Sequence, residues 1–157
     1  MHGEEGGGRN RGEACHIYDL FGFLTGQPVK RVHAQPIASP GGLYSPSDNF
    51  VATLNFADGS VATLTYTAMG AKDHPKELLE IYCEGKVIVM EDFKKLWLKG
   101  ARSAQRESRI ADKGHREELL AFASAIQRGG EPPIPLWQQV QATRIAIEIE
   151  EQIAGSK

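Results

Sequence analysis

The chain has 157 residues, with 18 basic against 20 acidic side chains and a formal net charge of -2. That near balance gives no electrostatic argument for nucleic acid or an anionic membrane as a partner. Hydrophobic content of 41% and charged content of 24% suit one soluble domain with a real core, so residues 1–157 read as a single domain. Two cysteines, Cys15 and Cys83, are too few for a disulfide framework and point to a reducing cytoplasm. No apolar run reaches the length of a membrane span, and the N-terminus lacks a signal-peptide core.

Residues 1–11 are polar and glycine-rich and read as a flexible start. Glu13 to Leu24 predicts a helix, because Ala14, Ile17, Phe21 and Leu24 gather on one arc at 100° per residue. Gly26 and Pro28 stop it. Val29 to Ile37 suits a strand, and "SPGGLYSPSD" is loop by composition. In "NFVATLNFADGSVATLTYTA", Phe50, Ala52, Leu54 and Phe56 alternate with Val51, Thr53 and Asn55. Asp58-Gly59 supplies a tight turn, and Val61 to Thr67 returns as the partner strand. A second hairpin runs from Glu77 to Cys83, turns at Glu84-Gly85, and returns over Lys86 to Met90. Leu96 to Leu98 adds a short strand, and "ARSAQRESRIADKG" reads as an outward polar loop.

Two helices finish the chain. His115 to Gln127 gathers Leu119, Phe122, Ala123 and Ile126 on one face, and Gln138 to Ile153 gathers Ala142, Ile145, Ile149 and Ile153. "EPPIPL" between them is a stiff connector. This order predicts an α+β fold, an open and mostly antiparallel sheet with helices on one face. Both faces of the central hairpin carry apolar or Thr side chains, so the bare face is open to a second subunit.

The chemistry concentrates between Glu4 and Gly26. "GGGRNRGE" lacks the Walker spacing and the spaced dinucleotide fingerprint, and on pattern alone a mobile end is the better reading. Glu13, Cys15, His16 and Asp19 include metal-ligand types, but adjacent Cys15 and His16 diverge by about 100° on a helix. No second Cys/His cluster completes a metal site. Glu13 and His16 lie one turn apart, with Asp19 beyond. A carboxylate there can orient an imidazole for general-base work. The plainer alternative is a half-buried histidine bonded to a neighbouring carboxylate for packing, and spacing alone favours it. His2, His33, His74 and His115 read as surface or structural. Trp97 and Trp137 read as core or interface anchors.

"EEGGGRNRGEACHIYDLFGFLTGQPVKRVHA" resembles the start of the C-terminal domain of the glucose–fructose oxidoreductase / inositol dehydrogenase (Gfo/Idh/MocA) family. The resemblance continues in order through "DNFVATLNFADGSVATLTYTAMG", "KELLEIYCEGKVIVMEDFKKL", "DKGHREELLAFASAIQRGGEPPIPL" and "ATRIAIEI". It implies the substrate-binding and oligomerisation domain of an NAD- or NADP-dependent oxidoreductase acting on a sugar, cyclitol or related hydroxyl. The family's acid/base histidine matches His16, its following acidic residue matches Asp19, and its preceding glycines match Gly7 and Gly8. Glu13 then orients His16, while Arg9, Asn10 and Asp19 hold substrate.

Two departures stand out. Where many members carry an aspartate four residues before the histidine, this chain has Gly12, and Glu13 is the nearest carboxylate. The chain also has no dinucleotide fingerprint and no counterpart of the family's "EKP" lysine segment, so it looks like a C-terminal domain encoded alone. No bound cofactor and no turnover are expected of this chain by itself. The alternative is a stand-alone dimerisation or ligand-binding module that kept the sheet and lost catalysis.

Overall fold

The computed structural model describes residues 8–100, 102, 104–111 and 113–156. It is an α+β structure whose two sheets are antiparallel throughout. The chain divides into two compact units, residues 1–69 with 134–157, and residues 70–133.

The first unit opens with a π-helical turn, Asn10–Ala14, which runs directly into helix α1, Cys15–Thr25. Helical structure therefore begins earlier than the predicted Glu13. Most of the expected flexible start, Gly7 included, lies outside the described residues, but Asn10 and Arg11 belong to this turn. Gly26 ends α1 as expected, at φ 63°, with its N–H on the Gly22 carbonyl at 2.9 Å.

Strands β1 (Val29–Pro36), β2 (Asn49–Phe56) and β3 (Val61–Thr67) form a meander in that order. The turn is where Asp58-Gly59 places it: Gly59 sits at φ 90°, and the Asp58 carboxylate accepts the Ser60 N–H at 2.9 Å. Period-two alternation sends Phe50, Ala52, Leu54 and Phe56 inward, all buried. Helix α3 (Leu136–Gly155) packs on β1 with Ala142, Ile145, Ala146, Ile149 and Ile153, and α1 packs against α3 through Tyr18 and Phe21. Two glutamines of α3 satisfy backbone groups of the edge strand β1. Gln141 Oε1 accepts Val29 N–H at 2.7 Å, and Gln152 Oε1 accepts Ala34 N–H at 2.7 Å. The opposite face shows Arg31 and His33 of β1, Thr53 of β2 and Thr63 of β3 in register, uncovered by any helix of this unit.

The second unit holds β4 (Leu78–Cys83), β5 (Lys86–Glu91), β6 (Lys95–Lys99), β7 (Ala104–Glu107) and helix α2 (His115–Arg128). β7 falls in the segment expected to loop outward. "AQRE" has no apolar alternation, and only its pairing with Leu96, Trp97 and Leu98 makes it a strand. The β5–β6 turn places Asp92 and Phe93 at φ 51° and 53° without a glycine. α2 has the predicted apolar stripe but buries none of its residues: Leu119 is 70% exposed and Phe122 52%.

Candidate functional site

The π turn divides neighbouring residues between two tasks. Asn10 turns inward and is completely buried. Its Nδ2 donates to the Ala146 carbonyl at 2.8 Å and to Glu150 Oε2 at 2.9 Å, while its Oδ1 accepts the Tyr18 hydroxyl at 2.8 Å. Ser47 Oγ donates to the other oxygen of Glu150. Burial, with Cys15 and Glu150 nearby, pushes the Tyr18 phenol well above its ordinary range, so it stays a neutral donor. The π turn is thereby pinned to α3 and to the loop before β2. Arg9 adds a backbone bond to Asp48 Oδ1 at 3.2 Å.

Glu13 turns outward to the sheet. Its Oε2 accepts the Tyr66 hydroxyl at 2.8 Å. The Tyr66 ring stacks on Phe50, its cross-strand partner, with centroids 5.7 Å apart and planes 9° from parallel. Burial, then Glu13, pushes the Tyr66 phenol up to about 12, and Arg9 opposes the shift. Of the predicted positions, Glu13 accepts the Tyr66 hydroxyl, Arg9 opposes the rise of that phenol, and Asn10 serves the buried clamp.

His16 stands exposed on the first turn of α1, with no side-chain hydrogen bond among the described residues. Asp19 is half-buried one turn further on, where Gln138 Nε2 donates to both its carbonyl and its Oδ1 at 3.2 Å. Asp19 is thus tied to the start of α3. Tyr66 is the residue that sequence reasoning missed. Its place on the inward face of β3 was readable from alternation, but a bond across 53 residues was not.

Among the described residues no three His, Cys, Asp or Glu side chains are grouped to hold a metal. No described helix is long and apolar enough to cross a membrane. Both sheets are antiparallel throughout, so the described residues contain no parallel βαβ unit of the kind whose crevice takes a dinucleotide. A shallow hollow on the second unit's sheet, lined by Ile88, Leu96, Leu98 and Arg106, is apolar and holds no acid–base pair.

Residues 1–89, which carry every one of these side chains up to Tyr66, match the family described as the GFO/IDH/MocA C-terminal domain. The chain belongs to that family. Solved structures agree on the fold of this GFO/IDH/MocA C-terminal domain. UDP-N-acetylglucosamine 3-dehydrogenase GnnA from Acidithiobacillus ferrooxidans superposes with a TM-score of 0.76 at 16% identity, over 92% of this chain and 46% of its own. The aldose-aldose oxidoreductase from Caulobacter crescentus, solved with glycerol, gives 0.70 at 15% identity, over 92% and 44%. The WlbA dehydrogenase from Bordetella pertussis, solved with NADH and UDP-GlcNAcA, gives 0.60 at 18% identity, over 96% and 44%. The chain thus spans about half the length of the solved relatives it matches. No curated protein sequence matches it.

Proposed function

We propose that this domain is the substrate-binding and oligomerisation half of a cytoplasmic NAD- or NADP-dependent oxidoreductase acting on a sugar, cyclitol or related hydroxyl. The observation that carries the reading is the family match across the segment bearing His16. A nicotinamide cofactor, bound by another part of the enzyme, supplies the hydride acceptor. His16 takes the hydroxyl proton of the carbon being oxidised, and its exposure leaves the imidazole open to substrate. Glu13 orients it from the preceding turn. Arg9 and Asp19 hold the substrate's polar groups. Asn10 instead fixes the π turn that carries Glu13, because its amide is committed to Ala146, Glu150 and Tyr18. The open Thr-rich face of β1–β3 is the surface for a second copy.

The test is reduction of NAD or NADP by the intact enzyme over a panel of sugars, cyclitols and sugar nucleotides. With a substrate in hand, His16→Ala should lower kcat by about 10²–10⁴-fold, the usual worth of a positioned base. Near-normal turnover would overturn the assignment. Clear NAD(P) binding by this chain alone, measured by calorimetry, would overturn the division of labour. For the sheet face, sedimentation should show self-association that Thr53→Arg weakens. A strict monomer at high concentration counts against the surface.

A further inference from the structure

We infer that one face of the β6–β7 pair carries a second, non-catalytic binding site: a platform for a pyranose ring, with Trp97 under the ring and Gln105 and Lys99 holding its hydroxyls. The site lies wholly within the second unit and does not rest on the reading of His16.

Three observations carry it. First, the three side chains share a face and a hollow. Register sets Trp97 opposite Gln105, and period two puts Lys99 on the same face as Trp97. With Leu98 and Ala104 they line a hollow of about 400 Å³, within the range of small-molecule sites. The apolar hollow of Ile88, Leu96 and Leu98 is a separate one, because alternation turns those side chains to the other face. Second, the polar groups are unengaged. Neither the Lys99 ammonium nor the Gln105 carboxamide has a hydrogen-bond or ion-pair partner among the described residues. Their charged neighbours on this face are engaged: Lys95 bonds Glu91 Oε1 at 3.1 Å with Glu107 also acting on it, and Glu80 accepts the Tyr82 hydroxyl at 2.8 Å. Third, the base is stiff. Gly100, at φ 84°, follows Lys99 and lies so close to the Gly85 carbonyl and the Lys86 Cα that no Cβ fits between them. The end of β6 is thereby held in place before any ligand arrives.

The chemistry selects the ligand. The half-buried indole offers a flat apolar surface. Gln105 adds a donor and an acceptor at its edge, and Lys99 adds donors only. A pyranose has the complementary pair of surfaces, C–H groups on the ring face and hydroxyls around the rim. A purely apolar ring would leave both polar side chains without partners. A multiply charged anion would meet the carboxylates of Glu91 and Glu107 on the same face.

Tryptophan emission and ligand-observed NMR on the full chain decide the matter. In a Trp137→Phe background, Trp97 is the one tryptophan left. Methyl β-glucopyranoside should shift its emission saturably, with half-saturation at about 1–20 mM. Ethylene glycol, which has hydroxyls but no ring face, should produce no saturable shift over the same range. Saturation transferred from the protein should be strongest at the ring-face protons of the glucoside, and Trp97→Ala should abolish it. Gln105→Ala and Lys99→Ala should each raise the half-saturation concentration about three- to tenfold, the worth of one hydrogen bond. Both side chains are exposed, so these two variants decide the matter even if Trp97→Ala fails to fold. No saturable response to the glucoside, an equal response to ethylene glycol, or wild-type affinity in both exposed variants would overturn the inference. So would a Trp97 closed to acrylamide quenching because a second copy covers the hollow. Loss of the base assignment by His16→Ala kinetics would leave every one of these outcomes standing.

Discussion

Both units are built largely of helices and strands, but to opposite effect. Every buried hydrophobic side chain among the described residues belongs to the first, from Ala14 and Tyr18 through Phe50, Ala52 and Leu54 to Ile149 and Ile153. The second has four strands and a fourteen-residue helix yet buries none, with Leu78 at 56% exposure, Tyr82 at 70% and Leu119 at 70%. Amphipathic patterning is equally clear in both. A pattern therefore shows which face an element can bury, whereas burial needs a facing layer, and α3 supplies one to its sheet. The pinned π turn belongs to the unit with the core, so the candidate site rests on the more rigid half.

The widest separation between the units should appear on truncating one phenylalanine in each. Phe50→Ala removes a fully buried ring and its stack on Tyr66, and should cost about 3–5 kcal/mol. Phe122→Ser on α2 should change stability by no more than about 0.5 kcal/mol, because that ring is already 52% exposed. Each unit carries one of the chain's two tryptophans, Trp137 in α3 and Trp97 in β6. Urea unfolding of single-tryptophan variants therefore reads each unit separately. A large loss on Phe122→Ser would show that α2 is covered in solution and would break the contrast.

Much of the secondary structure was legible in the sequence, although the chain read as one domain, and the exceptions share a cause. Alternation over Phe50–Phe56, the Asp58-Gly59 turn and the stop at Gly26 are local signals, and each sits where its pattern placed it. The outward loop became β7 because its pairing with β6, not its own composition, makes it a strand. Asn10 looked like part of a loose glycine-rich start, yet its amide is fixed by Ala146 and Glu150, 136 and 140 residues away. Tyr66 escaped notice for the same reason. Side-chain bonds between distant segments leave no local period, and the clamp and the Glu13–Tyr66 bond are built from such bonds.

The second unit is not uniformly tolerant, and Gly100 sharpens the contrast. At φ 84°, a Cβ there would lie 2.1 Å from the Gly85 carbonyl oxygen and 2.9 Å from the Lys86 Cα. Backbone on both sides leaves nothing flexible to give way. Gly100→Ala should cost about 2–4 kcal/mol, from backbone strain and steric overlap together. The loss should register at Trp97 and leave Trp137 unmoved. An unaffected Trp97 transition would mean that the β5–β6 end relaxes freely. The second unit would then lack even this close-packed point.

The smallest expected effect is a pH dependence confined to the same unit. The Asp92 carboxylate accepts the Lys76 N–H at 2.8 Å and the Glu77 N–H at 3.1 Å, fastening the chain entering β4 to the β5–β6 turn. The Glu77 bond foremost holds its carboxyl below the ordinary 3.8; burial opposes it, and the Lys76 bond and the charge of Lys94 add to the lowering. A folded-state value below the unfolded one contributes stability that is present above pH 3.8 and lost as pH falls through the folded value. Asp92→Asn keeps a carbonyl acceptor and a residue type that tolerates φ 51°, but it cannot titrate. The variant should therefore flatten the acid limb of the Trp97 transition while the Trp137 transition keeps its own. If both transitions in the variant keep their wild-type acid limbs, the acid sensitivity of the second unit has another source. The Asp92 bonds would then be a consequence of the turn rather than what secures it.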